Sequence, residues 1–225
     1  MAKPRSPKGR ARLTVERLAE CYPGTAKELC ALDFTTPFEL LTATILSAQT
    51  TDVRVNMVTP VLFAKYPDAA ALAAANPEDV EEIIRSTGFF RSKAKSVIGM
   101  AAAVRDRFDG TVPSDLGDLV TLPGVGRKTG NVLRSVAFEL PGLPVDTHVL
   151  RVTDRLGLLE GLSPTERRDA VKVELALNAL VPAPERGSFS LRVILHGRAT
   201  CVARKPRCFA CPLADFCPSV RLTAR

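Results

Sequence analysis

The chain has 225 residues, of which 46% are hydrophobic, enough for one large domain or two small ones. Alanine and leucine are frequent and β-branched residues form no long blocks, which favours an all-helical fold. The N-terminus is charged, and no segment approaches the roughly 20 apolar residues that span a bilayer. These features predict a soluble, cytoplasmic protein rather than a secreted or membrane one, nucleoid-associated if the source is bacterial.

The net charge of +7 is concentrated at the two ends of the chain. Residues 1–12 carry five Lys and Arg and no acid, whereas residues 192–225 carry seven against Asp215 alone. Positive charge in such segments suits a polyanion, for example the phosphates of a nucleic acid. Basic segments that only keep the protein in solution explain the charge equally well, so charge alone leaves both interpretations open.

The predicted secondary structure is a series of helices that begins near residue 12. Residues 1–11 are rich in Pro, Lys and Arg and are predicted to be a disordered basic tail. The apolar spacing predicts longer helices at 38–49, 52–65, 127–140, 146–156, 164–180 and 185–200. Helix starts are also predicted near Pro67 and Pro77, and Ser114 is predicted to cap a short helix through Val120.

A glycine-rich segment separates two of these helices, and residues 122–128 read Leu-Pro-Gly-Val-Gly-Arg-Lys. Gly124 and Gly126 leave backbone N–H groups uncovered beside a helix N-terminus, which is an anion site suited to a DNA phosphate. The spacing matches neither the P-loop nor the dinucleotide-binding fingerprint. A plain tight connection between helices is the alternative interpretation.

Lys128 lies in the first turn of the helix that follows, beside Arg127. The helix dipole and the neighbouring cation both disfavour the protonated amine. A neutral lysine amine is a nucleophile, so the position is a candidate for covalent catalysis. A surface lysine that binds a phosphate as a point charge is the alternative.

Four of the six cysteines are clustered near the C-terminus with the spacing C-x6-C-x2-C-x5-C: Cys201, Cys208, Cys211 and Cys217. In a reducing compartment such a cluster predicts a metal site. Zinc and a 4Fe–4S cluster both take four thiolates, and spacing physics alone does not separate them. Between the first two cysteines, Arg204, Lys205 and Arg207 form a short basic loop suited to phosphate contact.

The hairpin with Lys128, the segment 145–149 (Val-Asp-Thr-His-Val) and the cysteine spacing together resemble the iron–sulfur branch of the endonuclease III superfamily, the helix–hairpin–helix DNA glycosylases/AP lyases. The resemblance covers about residues 12–217. It implies an all-α fold of two helical lobes with a DNA-binding cleft between them. The first is a six-helix barrel with the helix–hairpin–helix motif, at 30–141, and the second is an iron–sulfur lobe formed by 12–29 and 142–225. A monomer is expected.

The same resemblance implies a bifunctional enzyme of base excision repair, acting on duplex DNA that contains oxidised pyrimidines or abasic sites. Lys128 would attack C1′ of the damaged nucleotide, with Asp146 as the paired carboxylate. The chemistry suits both residues, because breaking an N-glycosidic bond builds positive charge on the sugar. A lysine nucleophile leaves a Schiff base, which allows β-elimination 3′ to the sugar. The four cysteines would hold a 4Fe–4S cluster with a structural role.

The resemblance also assigns DNA contacts outside the hairpin. Gln49 would enter the space left by the flipped nucleotide, and Phe89 would fill the stack as a wedge, unless it is a core residue. Asp52 matches a pocket position but also fits a helix start. Two lesser pocket residues are Phe90 and His148, the latter as a hydrogen-bonding group rather than a base. The implied phosphate-binding residues are Gly124, Gly126, Arg127, Arg204, Lys205 and Arg207.

Other functions are compatible with parts of the pattern. Thymine- and adenine-specific mismatch glycosylases share the hairpin, the aspartate and the cluster, but they typically lack a lysine at the position of Lys128. The 8-oxoguanine glycosylases keep the lysine and lack the cluster. A non-catalytic iron–sulfur protein that only binds DNA is the alternative from another class.

Overall fold

The computed structural model describes residues 6–220. Within that range the chain forms α-helices and short 3₁₀ turns without a strand, which confirms the predicted all-α fold. The helices are α1 (Pro7–Cys21), α2 (Pro37–Leu46), α3 (Asp52–Lys65), α4 (Ala69–Ala73), α5 (Pro77–Ile84), α6 (Phe90–Phe108), α7 (Leu116–Leu119), α8 (Arg127–Val136), α9 (Thr147–Arg155), α10 (Ala170–Leu180) and α11 (Arg186–Ala199). None of the helices in this range is both long and apolar enough to cross a membrane.

The chain divides into two compact units. The hairpin unit is Cys30–Glu139, and the cysteine unit combines Met1–Leu29 with Leu140–Arg225. These bounds lie close to the lobes expected from the sequence, at 30–141 and at 12–29 with 142–225.

The hairpin unit contains α2 to α8. The long helix α6 packs against α4 and α5, while α2 packs against α3, α6 and α8. Helix α2 begins with a capping box, in which Thr36 accepts from the backbone of Glu39 and the Glu39 side chain accepts from the Thr36 N–H. The core of the hairpin unit includes buried side chains on α2 and α6, among them Leu41 and Met100.

The cysteine unit contains α1, α9, α10 and α11 around the fully buried Phe189. Helix α11 packs against α9 and α1, and α1 also contacts α10. Arg17 on α1 forms an ion pair with Asp215 and donates to the Pro212 carbonyl at 2.7 Å. Helix α1 is therefore tied directly to the cysteine segment near the C-terminus.

The predicted disordered tail is wrong for residues 7–11, which form the first turns of α1. Ser6 caps the helix by accepting from the Gly9 N–H at 3.2 Å, and Pro7 occupies a position where proline is favoured. Ala11 is fully buried, and Arg10 donates to the Gly157 carbonyl at 2.7 Å. Long-range packing thus orders these residues, while residues 1–5 of the predicted tail lie outside the described residues.

Several predicted helix bounds also differ from the structure. The helix predicted for Ser114 to Val120 is only Leu116–Leu119, because Asp115 rather than Ser114 accepts from the N–H groups of its first turn. The helix predicted at 127–140 ends at Val136. Such ends depend on the capping geometry, which apolar periodicity does not record.

Candidate active site and cysteine segment

The hairpin of residues 122–126 connects α7 to α8, and its two apolar residues, Leu122 and Val125, are buried as anchors. Gly124 has a φ of 76°, in the left-handed region. A Cβ at Gly124 would lie 2.9 Å from the Cβ of Ser96. The fold therefore requires glycine at this position, both for its backbone conformation and for its close approach to α6.

Gly126 differs from Gly124 in what the fold requires. It is the N-cap of α8, has no side-chain cap and is exposed. A Cβ there would meet nothing within 4 Å. The packing leaves room for a side chain at Gly126, and the uncapped N–H groups of this helix start are available to a ligand such as an anion.

Lys128 is the second residue of α8 and is exposed. Within residues 6–220 the structure shows no hydrogen bond or ion pair to its amine. The opposite face of α8 is anchored in the hairpin unit by buried Leu133 and Val136. The backbone that carries the lysine is thus fixed, while its amine remains accessible to a ligand.

Asp146 is the N-cap of α9 in the cysteine unit. Its Oδ1 accepts from the backbone N–H groups of His148 and Val149, at 2.8 and 2.9 Å. The residues before it are buried, and Ser190 donates to the carbonyl of Pro144. Within the described part of the chain the second carboxylate oxygen has no partner, so the cap orients the carboxylate and leaves one oxygen available.

Gln49 and Phe89 share an unusual backbone conformation. They are two of the five described non-glycine residues with positive φ, at 55° and 48°, and Lys205 is a third, at 53°. Each such residue costs free energy and persists where the surrounding structure holds it. All three are exposed, Phe89 to 68%, so the alternative that Phe89 is a core residue is wrong.

Phe90 begins α6 next to Phe89 but is half-buried. Its ring centroid lies 5.3 Å from the guanidinium of Arg85 and 5.7 Å from that of Arg91. These are cation–π distances, so the ring already has one partner in the preceding 3₁₀ turn and one on its own helix. Asp52, the other lesser pocket candidate of this unit, is the first residue of α3, which Thr51 caps by accepting from the Arg54 N–H at 3.2 Å.

Lys93 is a buried residue of this unit that the sequence reasoning missed. Its Nζ donates to the carbonyl of Thr87 at 2.7 Å, and burial lowers the pKa of the ammonium group. Thr87 immediately precedes Gly88 and Phe89, so Lys93 holds the segment that presents the Phe89 ring. A signal was present, because Lys93 lies on the same helical face as the apolar residues Val97 and Met100.

The four clustered cysteines are each half-buried and line one cavity in the cysteine unit. Burial raises the pKa of the Cys211 thiol to about 11 and also raises that of Cys217, with smaller contributions from neighbouring thiols of the cluster. Bound iron would offset this cost by coordinating the thiolates. Among residues 6–220, no three His, Cys, Asp or Glu side chains are arranged to hold a single metal ion.

Two arginines on α9 hold the start of the cysteine segment, and the sequence reasoning missed both. Arg155 donates to Cys201 Sγ at 3.3 Å and to the carbonyls of Val202 and Ala203 at 2.9 Å each. Arg151, one turn earlier, donates to Cys201 O at 3.2 Å. Their i, i+4 spacing on one helix face was the available signal.

His148 lies on the same helix, half-buried between Asp146 and Arg151. Its Nδ1 is 3.0 Å from a guanidinium nitrogen of Arg151. Because arginine only donates hydrogen bonds, Nδ1 is the acceptor, which leaves the ring proton of the neutral form on Nε2.

The basic loop of Arg204, Lys205 and Arg207 is exposed. Phe209, directly after it, is 87% exposed, and the sequence reasoning did not single it out.

Comparison with known proteins gives matches to two family models, and the matched residues include parts of both units. Residues 42–177 match the model of the HhH-GPD superfamily base excision DNA repair protein, and residues 201–217 match the iron–sulfur binding domain of endonuclease III. The chain is 50% identical to endonuclease III of Synechocystis sp., over 96% of this chain and 95% of the relative. The chain belongs to the endonuclease III family.

Two solved structures of endonuclease III extend the similarity to the fold. One is a non-covalent complex with DNA, with a TM-score of 0.84 and 40% identity, covering 94% of this chain and 95% of the other. The second is a trapped covalent intermediate with DNA, with the same TM-score and identity, covering 94% and 96%.

Membership of the endonuclease III family confirms the predicted enzyme class, a DNA glycosylase with AP lyase activity in base excision repair. The non-catalytic alternative is thereby excluded. The cofactor is a 4Fe–4S cluster, as predicted. Four half-buried thiols that line one cavity fit this group, which takes one thiolate for each iron.

Proposed function

We propose that this endonuclease III homologue excises oxidised pyrimidines from duplex DNA as a monomer, with Lys128 as the nucleophile and Asp146 as its carboxylate partner. The observation that carries the proposal is the accessible amine of Lys128, held directly after the hairpin at the start of α8. The covalent DNA intermediate of the 40% identical endonuclease III supports a nucleophilic mechanism. The cytoplasmic or nucleoid location stays a prediction.

The unprotonated Lys128 amine attacks C1′ of the damaged nucleotide, and the base leaves with the electron pair of the glycosidic bond. The amine nitrogen loses its two protons, one to the departing base and one to O4′ as the C1′–O4′ bond breaks, and forms an imine with C1′. This imine makes the C2′ proton acidic. Loss of that proton allows the 3′ phosphate to leave, which cleaves the strand, and water then releases Lys128. Asp146 stabilises the positive charge that develops on the sugar during the first step.

The remaining predicted residues bind and distort the DNA in this proposal. Gln49 and Phe89 occupy the stack beside the flipped nucleotide. Their exposure on strained, fixed backbone supports this role. Arg127 and the two hairpin glycines bind phosphate in the hairpin unit. Asp52, Phe90 and His148 have lesser roles near the pocket, and the contacts of Phe90 and His148 to arginines favour support over chemistry.

We also propose that Cys201, Cys208, Cys211 and Cys217 are the four ligands of the cluster. The bound group cross-links the cysteine segment and so shapes the basic loop between the first two ligands. Arg155 adds to this by donating to Cys201 Sγ and to the loop backbone. Arg204, Lys205 and Arg207 bind DNA phosphates in that fixed loop.

A substrate panel tests the pyrimidine specificity. Duplexes with one thymine glycol, one 8-oxoguanine or one mispaired thymine are compared for base release and strand cleavage, with the opposite base varied. We expect release and cleavage at thymine glycol. Preferential release of mispaired thymine would contradict the proposal and favour a mismatch glycosylase.

The two hairpin glycines provide a matched pair for the phosphate site. Gly126→Ala is expected to leave the melting temperature near that of the wild type and to weaken DNA binding, because its Cβ meets no protein atom but lies beside the helix N-terminus. Gly124→Ala is expected to destabilise the fold by about 1 kcal/mol or more, because alanine is strained at its φ of 76°. Thermal melting and fluorescence anisotropy with labelled duplex measure both effects. Unchanged DNA affinity in Gly126→Ala would count against a phosphate at the hairpin.

A further inference from the structure

Phe209 is the most exposed of the large hydrophobic residues in the described chain, at 87%. It lies in a 3₁₀ turn, Cys208–Ala210, between two of the cysteines that line the cavity. A large aromatic ring in water gains nothing for the fold. A single exposed hydrophobic residue is ordinary at a protein surface, so the case for a partner depends on the turn and on the charge around the ring.

The turn holds the ring outward. The Ala210 N–H donates to Arg207 O at 3.1 Å, and the Cys211 N–H donates to Cys208 O at 3.3 Å. Because Cys208 and Cys211 face the cavity, the two residues between them project away from it, and both are exposed. The backbone before the turn is fixed as well, since the Arg207 N–H donates to Thr200 O at 2.9 Å. A contact through Phe209 consequently costs little ordering entropy.

The charge around Phe209 favours a polyanion. The exposed cations Arg204, Lys205 and Arg207 precede it, and the only acid of residues 201–220, Asp215, is paired with Arg17. Two residues of chain span at most about 7 Å, so the backbone of Phe209 lies within that distance of Arg207. Every phosphate of a DNA strand is flanked by deoxyriboses, so a sugar would lie within reach of a ring beside a phosphate-binding arginine.

We propose that Phe209 packs against the deoxyribose of duplex DNA, beside the phosphates that the basic loop binds. This inference rests on the proposed DNA-binding role of that loop. It adds an apolar contribution to the affinity for DNA that does not depend on charge. The cations supply counterion release, and the ring supplies buried apolar area.

The test measures the affinity of the cluster-containing protein for an abasic-analogue duplex at several salt concentrations. Phe209→Ala and Phe209→Ser are expected to lower affinity about tenfold, since partial burial of a ring contributes on the order of 1.4 kcal/mol. The slope of log affinity against log salt should not change. Lys205→Ala should instead flatten that slope by about one unit. The control Leu175→Ala, a 55% exposed residue on α10, should match the wild type.

Phe209→Leu keeps an apolar side chain and is expected to restore most of the lost affinity. Visible absorbance of the cluster checks that each variant retains the turn. Equal affinity of the alanine and leucine variants would overturn the proposal. A second result would also overturn the proposal: Phe209→Ala binds DNA with wild-type affinity but no longer binds anionic vesicles or no longer self-associates. The ring would then have another partner. Borohydride trapping through Lys128 is measured separately, so failure of the catalytic proposal can be distinguished from failure of the Phe209 proposal.

Discussion

Replacing Lys128 with glutamine is expected to abolish covalent trapping on abasic or oxidised-pyrimidine DNA. Borohydride reduces the imine between a lysine amine and C1′, and glutamine has no amine that forms an imine. Strand cleavage by β-elimination should be lost with it. Glutamine keeps a polar side chain of similar length at an exposed helical position, so the fold should be unaffected. Denaturing electrophoresis of the reduced reaction measures the adduct.

The adjacent Arg127→Gln variant is the matched control. It removes a cation from the same helix start, and we expect weaker DNA binding with trapping retained at high enzyme concentration. An adduct that persists in Lys128→Gln at wild-type yield would show that another amine is the nucleophile. Loss of trapping in both variants at saturating enzyme would assign Lys128 to phosphate binding instead.

Two substitutions of Asp146 are expected to separate its role in catalysis from its role in stability. Asparagine caps a helix about as well as aspartate, so Asp146→Asn should keep both hydrogen bonds to the start of α9. It removes the charge that stabilises the sugar cation, and base excision should slow by roughly 10²–10³-fold. Asp146→Ala should lose the cap as well, at a cost of about 1 kcal/mol and a melting temperature lower by about 2–4 °C.

Single-turnover excision and thermal melting of the two variants measure these effects together. Slow excision by a stable Asp146→Asn variant would assign the charge to the chemistry. Wild-type excision by Asp146→Asn would instead make Asp146 a helix cap alone. Equal melting temperatures for the asparagine and alanine variants would contradict the capping role seen in the structure.

The helical fold and the local features of the site were predictable because they depend on short stretches of sequence. Helix propensity and apolar spacing indicated α3 at its observed bounds, and the glycines of the hairpin indicated a break before α8. The cysteine spacing indicated a metal site, although its choice between zinc and iron–sulfur required the resemblance to a family. Lys128 and Asp146 were likewise predicted from short motifs, and their roles came from the same resemblance.

Exposure was less accessible to sequence reasoning, because it depends on what packs against a residue from elsewhere in the chain. Phe89 and Phe90 are adjacent phenylalanines, yet Phe89 is exposed, whereas Phe90 is half-buried within cation–π distance of two arginines. Lys93 is buried on α6, which packs against α4 and α5, and its ammonium group donates to the Thr87 carbonyl. Phe209 is exposed because the two cysteines that bracket it face the cavity.

By itself the sequence determined the all-helical class and the hairpin, since each depends on residues a few positions apart, and its motifs in chain order indicated the family. Only the tertiary structure decided which distant segments meet. Residues 7–11 become helical because Arg10 reaches Gly157 and Ala11 joins a core built largely from the other end of the chain. Arg155 likewise holds the cysteine segment from 46 residues away. Such contacts form only when the whole chain folds, since the entropy of closing long loops is offset by the core they complete.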